Sequence, residues 1–215
     1  MGMAFLQKLL NGSSEVSARG LASGAANVYK HIPDMASLVY ANKVWAVQDQ
    51  TTTAGLTAPP TTTAGLTMQN PASSGKVYIV FGISAIGDVT PAAIEQITLW
   101  HCAHKLAVVP YTRDISLQAT GAGAIMGMAA LQGAYDGVAI LDRGATVVDD
   151  GWCPISTIDF HIGVSLVDYG ILQPLIVPVI IPAGGHYSVA PLVTEATQEL
   201  GLGFVWAEVD ADELA

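Results

Sequence analysis

Prolines 174, 178 and 182 stand four residues apart inside the most apolar stretch of the chain, ILQPLIVPVIIPAGG. A proline ring fixes φ and carries no amide hydrogen, so no helix passes through this stretch. The same residues deny it the about 18 to 20 unbroken apolar positions of a membrane-crossing helix. What remains is extended backbone. A sheet tolerates proline at an edge or a bend, so the segment is expected to be an edge strand or a strand interrupted by bends.

The rest of the second half reads the same way. TAGLTMQN puts Leu66 and Met68 on one face and Thr67 and Gln69 on the other, the period-two pattern of a half-buried strand. Asn70-Pro71-Ala72-Ser73-Ser74-Gly75 has turn composition, and KVYIVFGISAIG after it is β-branched and aromatic. IEQITLWHCAHKLAVV offers one or two strands. VAILDRGATVVDDG offers a strand, a turn at Asp142-Arg143-Gly144 and a short second strand. STIDFHIGVSLVDYG alternates again, and LGFVWAEV closes the chain with Phe204 and Trp206 on one side. ATGAGAIMGMAALQGAYDG is ambiguous between helix and loop. Some eight short strands separated by Gly and Pro turns predict an all-β sandwich or barrel.

Residues 1–50 behave differently. FLQKLL can form a short helix, and the stretch after it mixes small residues with isolated apolar ones at no sustained period. Val28, Tyr29, Ile32, Leu38, Val39, Tyr40, Val44 and Trp45 are too apolar for an idle linker, so an extended arm laid over another surface is expected here. The sandwich is expected to occupy residues 51–215. Its threshold carries a duplication, TTTAGLT at 51–57 and again at 61–67, joined by Ala58-Pro59-Pro60. Two extended segments with a stiff joint account for it, the second copy forming the first rung of the sandwich. A replication slip without structural meaning is the less favoured alternative.

Charge narrows the function classes. Only 12% of residues are charged, and 18 acids against 8 bases leave a formal net charge of −10. Phosphate-backbone binding needs clustered Lys and Arg, so nucleic acid is not an expected partner. Nor is a membrane. With so few charges to solvate a large surface, much of it is expected to be covered by other subunits. Cys102 and Cys153 read as buried thiols, compatible with assembly in a reducing cytosol.

Few residues suggest bond chemistry. Ser73-Ser74-Gly75-Lys76 lacks the earlier glycine, the Ser or Thr after lysine and the helix that a phosphate loop needs. His101 and His104 on a strand project to opposite faces and find no companion pair at zinc spacing. Asp142, Asp149, Asp150 and Asp159 could supply a carboxylate pair for glycoside hydrolysis, although Asp149-Asp150-Gly151 is also an ordinary turn signal. No catalytic residue, cofactor or metal is expected.

The order Ala-Gly-Leu-Thr-Met (64–68), Asn-Pro-x-x-Ser-Gly-Lys (70–76) and a hydrophobic strand resembles small virion structural proteins of tailed bacteriophages. NVYKHIPDMASLVYANKVWAVQDQTTTAGLT is similar in layout to the end of their N-terminal arm. Pro-Ala-Gly-Gly-His-Tyr (182–187) before a final Trp-Ala-Glu-Val strand fits as well, the usual form being closer to Pro-Pro-Gly-His. The resemblance covers about residues 28–90 and 178–209; the Gly184-Gly185 pair and the duplicated heptapeptide depart from it. It implies a jelly-roll-like β-sandwich acting as a homotrimeric capsid cement, decoration or spike component. Its partners would be itself and the major capsid protein or other virion proteins, its location the virion after assembly in the host bacterial cytoplasm. A host-receptor or carbohydrate-binding tail module is the alternative, with Tyr135, Trp152 or Tyr187 as an exposed sugar platform.

Overall fold

The computed structural model describes residues 7–11, 14–20, 26–30, 35–49, 51, 53–87, 95–104, 125–130, 132–147, 151–160, 169–194 and 199–213. In chain order these contain β1 (Gln7–Asn11), β2 (Ser14–Gly20), β3 (Ala26–Lys30), α1 (Met35–Tyr40), β4 (Val44–Gln48) and β5 (Thr53–Ala54). Then follow β6 (Leu66–Gln69), β7 (Lys76–Gly87), β8 (Glu95–His104), β9 (Met126–Gly127) and β10 (Ile140–Arg143). The last four strands are β11 (Cys153–Phe160), β12 (Tyr169–Ile181), β13 (His186–Val193) and β14 (Glu199–Asp210), with a 3-10 turn at Ala211–Glu213.

Two antiparallel sheets form the sandwich. One runs β10-β6-β13-β8-β11, the other β12-β7-β14-β4-β9, with β5 added to the start of β14. From β5 onward consecutive strands alternate between the sheets except at the step from β10 to β11. A late strand, β13, lies between the early β6 and β8, the return that gives a jelly roll its Greek-key character. The expected all-β, jelly-roll-like sandwich is therefore the observed one.

Strand alternation builds the core. Along β14, Leu200, Leu202, Phe204, Trp206 and Glu208 point between the sheets, while Val205, Ala207 and Val209 point out. Trp206, Phe204, Tyr78 and Tyr187 are the largest fully buried side chains. Each such burial contributes roughly 1.5–3 kcal/mol, so these rows hold the two layers together. The outward row is also covered: Leu38 of α1 packs with Val44, Ile79, Ala207 and Val209 on the back of the sheet.

Several expectations need correction. β1, β2 and β3 pair antiparallel as a three-stranded meander, so Gln7–Asn11 is a strand where a short helix was read. The sandwich also begins earlier than residue 51: β4 pairs with β14, and Trp45 and Val47 lie in the core. The Gly/Ala-rich stretch yields, in its described part, only the two-residue β9 and irregular backbone.

The duplicated heptapeptide has a structural answer. In the first copy the Leu56 amide donates to the Pro191 carbonyl (2.9 Å) and its carbonyl accepts from Val193 N–H (2.7 Å). In the second, Gly65 N–H donates to the Val189 carbonyl (2.9 Å) before Leu66 enters β6. Both Ala-Gly-Leu units thus lie along the same side of β13, one after the other. The glycines permit this: a Cβ on Gly55 would sit 2.4 Å from Val193, and one on Gly65 would sit 2.7 Å from Leu202. The Ala-Pro-Pro joint carries the chain from one site to the next.

Two further motifs meet in space. Asn70 Nδ2 donates to the carbonyls of Lys76 (2.8 Å) and Ile181 (3.0 Å), and its backbone exchanges hydrogen bonds with Gly184 and Gly185. The Asn-Pro turn and the Pro-Ala-Gly-Gly turn are one hydrogen-bonded unit. Gly184 has φ 83°, a left-handed conformation that favours glycine.

At one side the sheets are tied by an ion pair. Asp49, just after β4, is buried and accepts from Nε and Nη2 of Arg143 at the end of β10, the latter at 2.7 Å. Its Oδ1 also accepts from Thr51 N–H at 2.9 Å. Removing the carboxylate strands a largely covered guanidinium, which typically costs about 3 kcal/mol. Asp49→Ala is accordingly expected to lower the unfolding free energy by about that amount in urea titration; a loss below about 1 kcal/mol contradicts a structural role for the pair.

Candidate functional site

β12 is the edge of its sheet, and its pairing with β7 breaks in the middle. Pro174 faces Gly82 and Val179 faces Val80, so the four residues Leu175 to Pro178 stand opposite Phe81 alone. The cause lies in the residues. Neither Pro174 nor Pro178 can donate to a ladder, and the chain arches away between them. Leu175 and Val179 turn inward and pack against the core, anchoring the two feet of the arch. Ile176 and Val177 at its crest are 100% and 77% exposed, with Leu172 and Ile180 exposed beside them. No residue from 169 to 181 carries a formal charge at neutral pH. An arch of this kind costs solvation unless something covers it.

The opposite edge of the same sheet carries a concave feature. α1 and the segment after β9 enclose an open groove of about 730 Å³ lined by Met35, Val39, Tyr40, Met128, Ala129 and Ala130. Its wall is fixed by backbone: Met128 N–H donates to the Val44 carbonyl (3.0 Å), and Gln132 Nε2 reaches the Asn42 carbonyl (2.8 Å). Tyr40 is 91% exposed, Met128 is exposed, and Met126, two residues earlier and on the same face by strand alternation, is exposed as well. The lining carries no charged side chain.

A third feature is polar. Glu208 is buried, and its Oε1 accepts from Tyr135 O–H (2.6 Å) and Trp206 Nε1–H (3.1 Å). Tyr135 stands edge-on to Trp45 and Trp206 and accepts from Ala139 N–H at 2.9 Å. Burial raises the Glu208 carboxyl above its ordinary range, more than its two donors lower it. It borders a cavity of about 220 Å³ shared with Lys43, Lys76 and Asp136. Both lysines are already engaged, Lys43 with Glu213 (2.6 Å) and Lys76 with Asp210 (2.9 Å). One carboxyl with two fixed donors ties β14 to the connection before β10, a structural role.

The residues singled out in the sequence are scattered. His101 Nδ1 lies 2.9 Å from the Tyr187 hydroxyl, half-buried, and burial lowers its pKa. Among the described residues no three His, Cys, Asp or Glu side chains gather as a metal would require. Cys102 is buried as expected, whereas Cys153 is exposed; neither is in a disulfide. Asp149 and Asp150 lie outside the described residues, so the carboxylate pair has no geometry here. The sugar platform fails in its expected form. Tyr187 is fully buried against Phe204, Tyr135 is packed between two tryptophans, and Trp152 donates to the Thr61 carbonyl at 2.6 Å. These rings serve the core and its margin, and do not make one exposed cluster.

Sequence reading flagged the proline-broken edge but missed the crest residues and the groove. The spacing of Pro174 and Pro178, with only apolar residues between, was the available signal for the first. Glu208 was legible too, since period two from Phe204 and Trp206 sends it inward. No protein-family model matches the chain, and neither a curated protein nor a solved structure is significantly similar to it.

Glu208 makes a pH prediction. A carboxyl whose folded pKa is raised binds its proton more tightly in the native state, so its contribution to stability is present below the unfolded value of 4.5 and is lost as pH rises through the folded one. Glu208→Gln keeps an acceptor for Tyr135 and Trp206 and removes that loss. Melting temperatures measured from pH 4 to pH 8 are expected to show the variant gaining on the native chain as pH rises. Parallel curves contradict the assignment.

Proposed function

We propose that this chain is a non-enzymatic structural protein of a bacteriophage virion, a cement or decoration component that works as a homotrimer by covering apolar surface. The observation that carries the reading is the β12 arch, a charge-free apolar crest held out from the edge of a sheet by two prolines. A ligand site gathers convergent polar groups in a cleft; the arch is convex and offers side chains alone. Its prolines also deny a partner the unbroken row of amides that strand addition uses, which leaves side-chain burial as the means of attachment.

Composition supports the same reading. A chain with 12% charged residues and net charge −10 keeps isolated copies apart by repulsion, while its two uncharged apolar surfaces give them somewhere to meet. The Asn-Pro and Pro-Ala-Gly-Gly motifs, on which the resemblance to phage virion proteins rests, form one hydrogen-bonded turn unit that shapes the end of β12. Arm exchange between subunits belongs to the proposal as well, with the chain before α1 as the exchanged part, since β4 is already paired within its own sandwich. Partners on the particle are the major capsid protein or other virion proteins.

Sedimentation equilibrium at micromolar concentration tests the assembly directly, with a mass of three chains expected. Reconstruction of the particle at side-chain resolution is expected to find the chain on the shell. A monomer at every concentration, or a chain confined to the tail tip with a glycan bound, overturns the reading.

A further inference from the structure

We infer that the β12 arch of one copy seats in the groove between α1 and the segment after β9 of a second copy, so that the subunits join head to tail. The inference rests on the proposed self-assembly and adds which surface meets which. The two surfaces differ and lie at opposite edges of one sheet, β12 at one end of the strand order and β9 at the other. A contact between unlike patches on identical chains is heterologous. It generates a closed ring when the rotation per step closes, and a trimer is the smallest such ring with three contacts.

Shape favours the match. The arch is a four-residue projection whose crest is Ile176 and Val177, and the groove is an open apolar trough of about 730 Å³. Charge favours it too. Both surfaces are free of charged side chains in a chain whose net charge is −10, so joining them buries no unpaired charge and sets no two acids face to face. Thioether side chains at Met35, Met126 and Met128 adapt to an aliphatic visitor, and the exposed Tyr40 ring can fold over it.

Area is sufficient. The exposed fractions of Leu172, Ile176, Val177 and Ile180 correspond to roughly 500 Å² of apolar surface, and those of Met35, Tyr40, Met126 and Met128 to a similar area. One contact then removes about 1,000 Å² from water, at the threshold for a specific interface. A ring supplies each subunit with two contacts, which lifts the total per subunit into the range of a stable assembly. An isologous contact of arch on arch would set two convex crests together and leave both grooves open.

Mixing two assembly-deficient chains tests the arrangement. Ile176→Asp spoils the arch and leaves the groove; Ala130→Asp spoils the groove and leaves the arch. Both positions are exposed, and unchanged melting curves verify that each variant folds. Each variant alone is expected to sediment as a single chain. Mixed in equal amounts they are expected to form a species of two chains and no larger, because one intact arch meets one intact groove and the other pair is dead. If the native chain is oligomeric while the mixture stays monomeric, or if either variant alone keeps the native mass, the head-to-tail arrangement is wrong and self-assembly stands. A native chain that is itself monomeric removes the self-assembly reading as well.

Discussion

Two missing amide hydrogens shape the β12 edge of this molecule. Because Pro174 and Pro178 donate nothing, β12 can neither continue its ladder across Phe81 nor present an unbroken edge to a neighbour. Leu175 and Val179 hold the ends of the interruption against the core, and the crest between them stands exposed. An ordinary edge strand recruits other strands indiscriminately. This one excludes strand addition and exposes Ile176 and Val177, which substitutes a side-chain contact for a backbone one. Everything proposed about assembly depends on that exchange.

The rest of the sandwich serves to hold this edge in place. β7 carries β12 on one side and β14 on the other, and Phe81 is the unpaired residue in both registers. The bend therefore crosses three strands. β14 then passes the sheet to β4, where α1 covers the outer face and shapes the groove. The tie from Asp49 to Arg143 joins the two layers, and the cluster of Tyr135, Trp45, Trp206 and Glu208 pins the connection between β9 and β10 onto β4 and β14. Arch and groove are thus connected through continuous hydrogen-bonded strands.

Much of the fold was legible because period-two patterns are local. Lys76–Gly87 appears as a strand with the bounds its composition suggested, Phe204 and Trp206 share the inner face, and the proline-rich segment is an edge. What escaped reading was set by distant partners. FLQKLL has no tertiary contact written into it, and Gln7–Asn11 pairs with Ser14–Ala18 where a helical turn was equally consistent with the residues. Trp45 and Val47 were assigned to an arm because nothing near them in sequence announces β14, 157 to 161 residues later in register. The aromatic residues misled in the opposite sense: Tyr187 looked available for a ligand, but its position in β13, beside β8 and under Phe204, places it in the core. The groove needs α1 and β9 together, two pieces some ninety residues apart, and no window of sequence contains both.

On the proposed assembly, the arch and the groove are covered whenever copies join. Oxidative footprinting across a dilution series measures this directly, since hydroxyl radicals label exposed aliphatic and thioether side chains. At concentrations where the protein assembles, labelling at Ile176, Val177, Met126 and Met128 should fall together, and it should return together on dilution, while exposed Cys153 stays reactive throughout. Labelling of the arch and the groove that does not change with assembly would contradict the account.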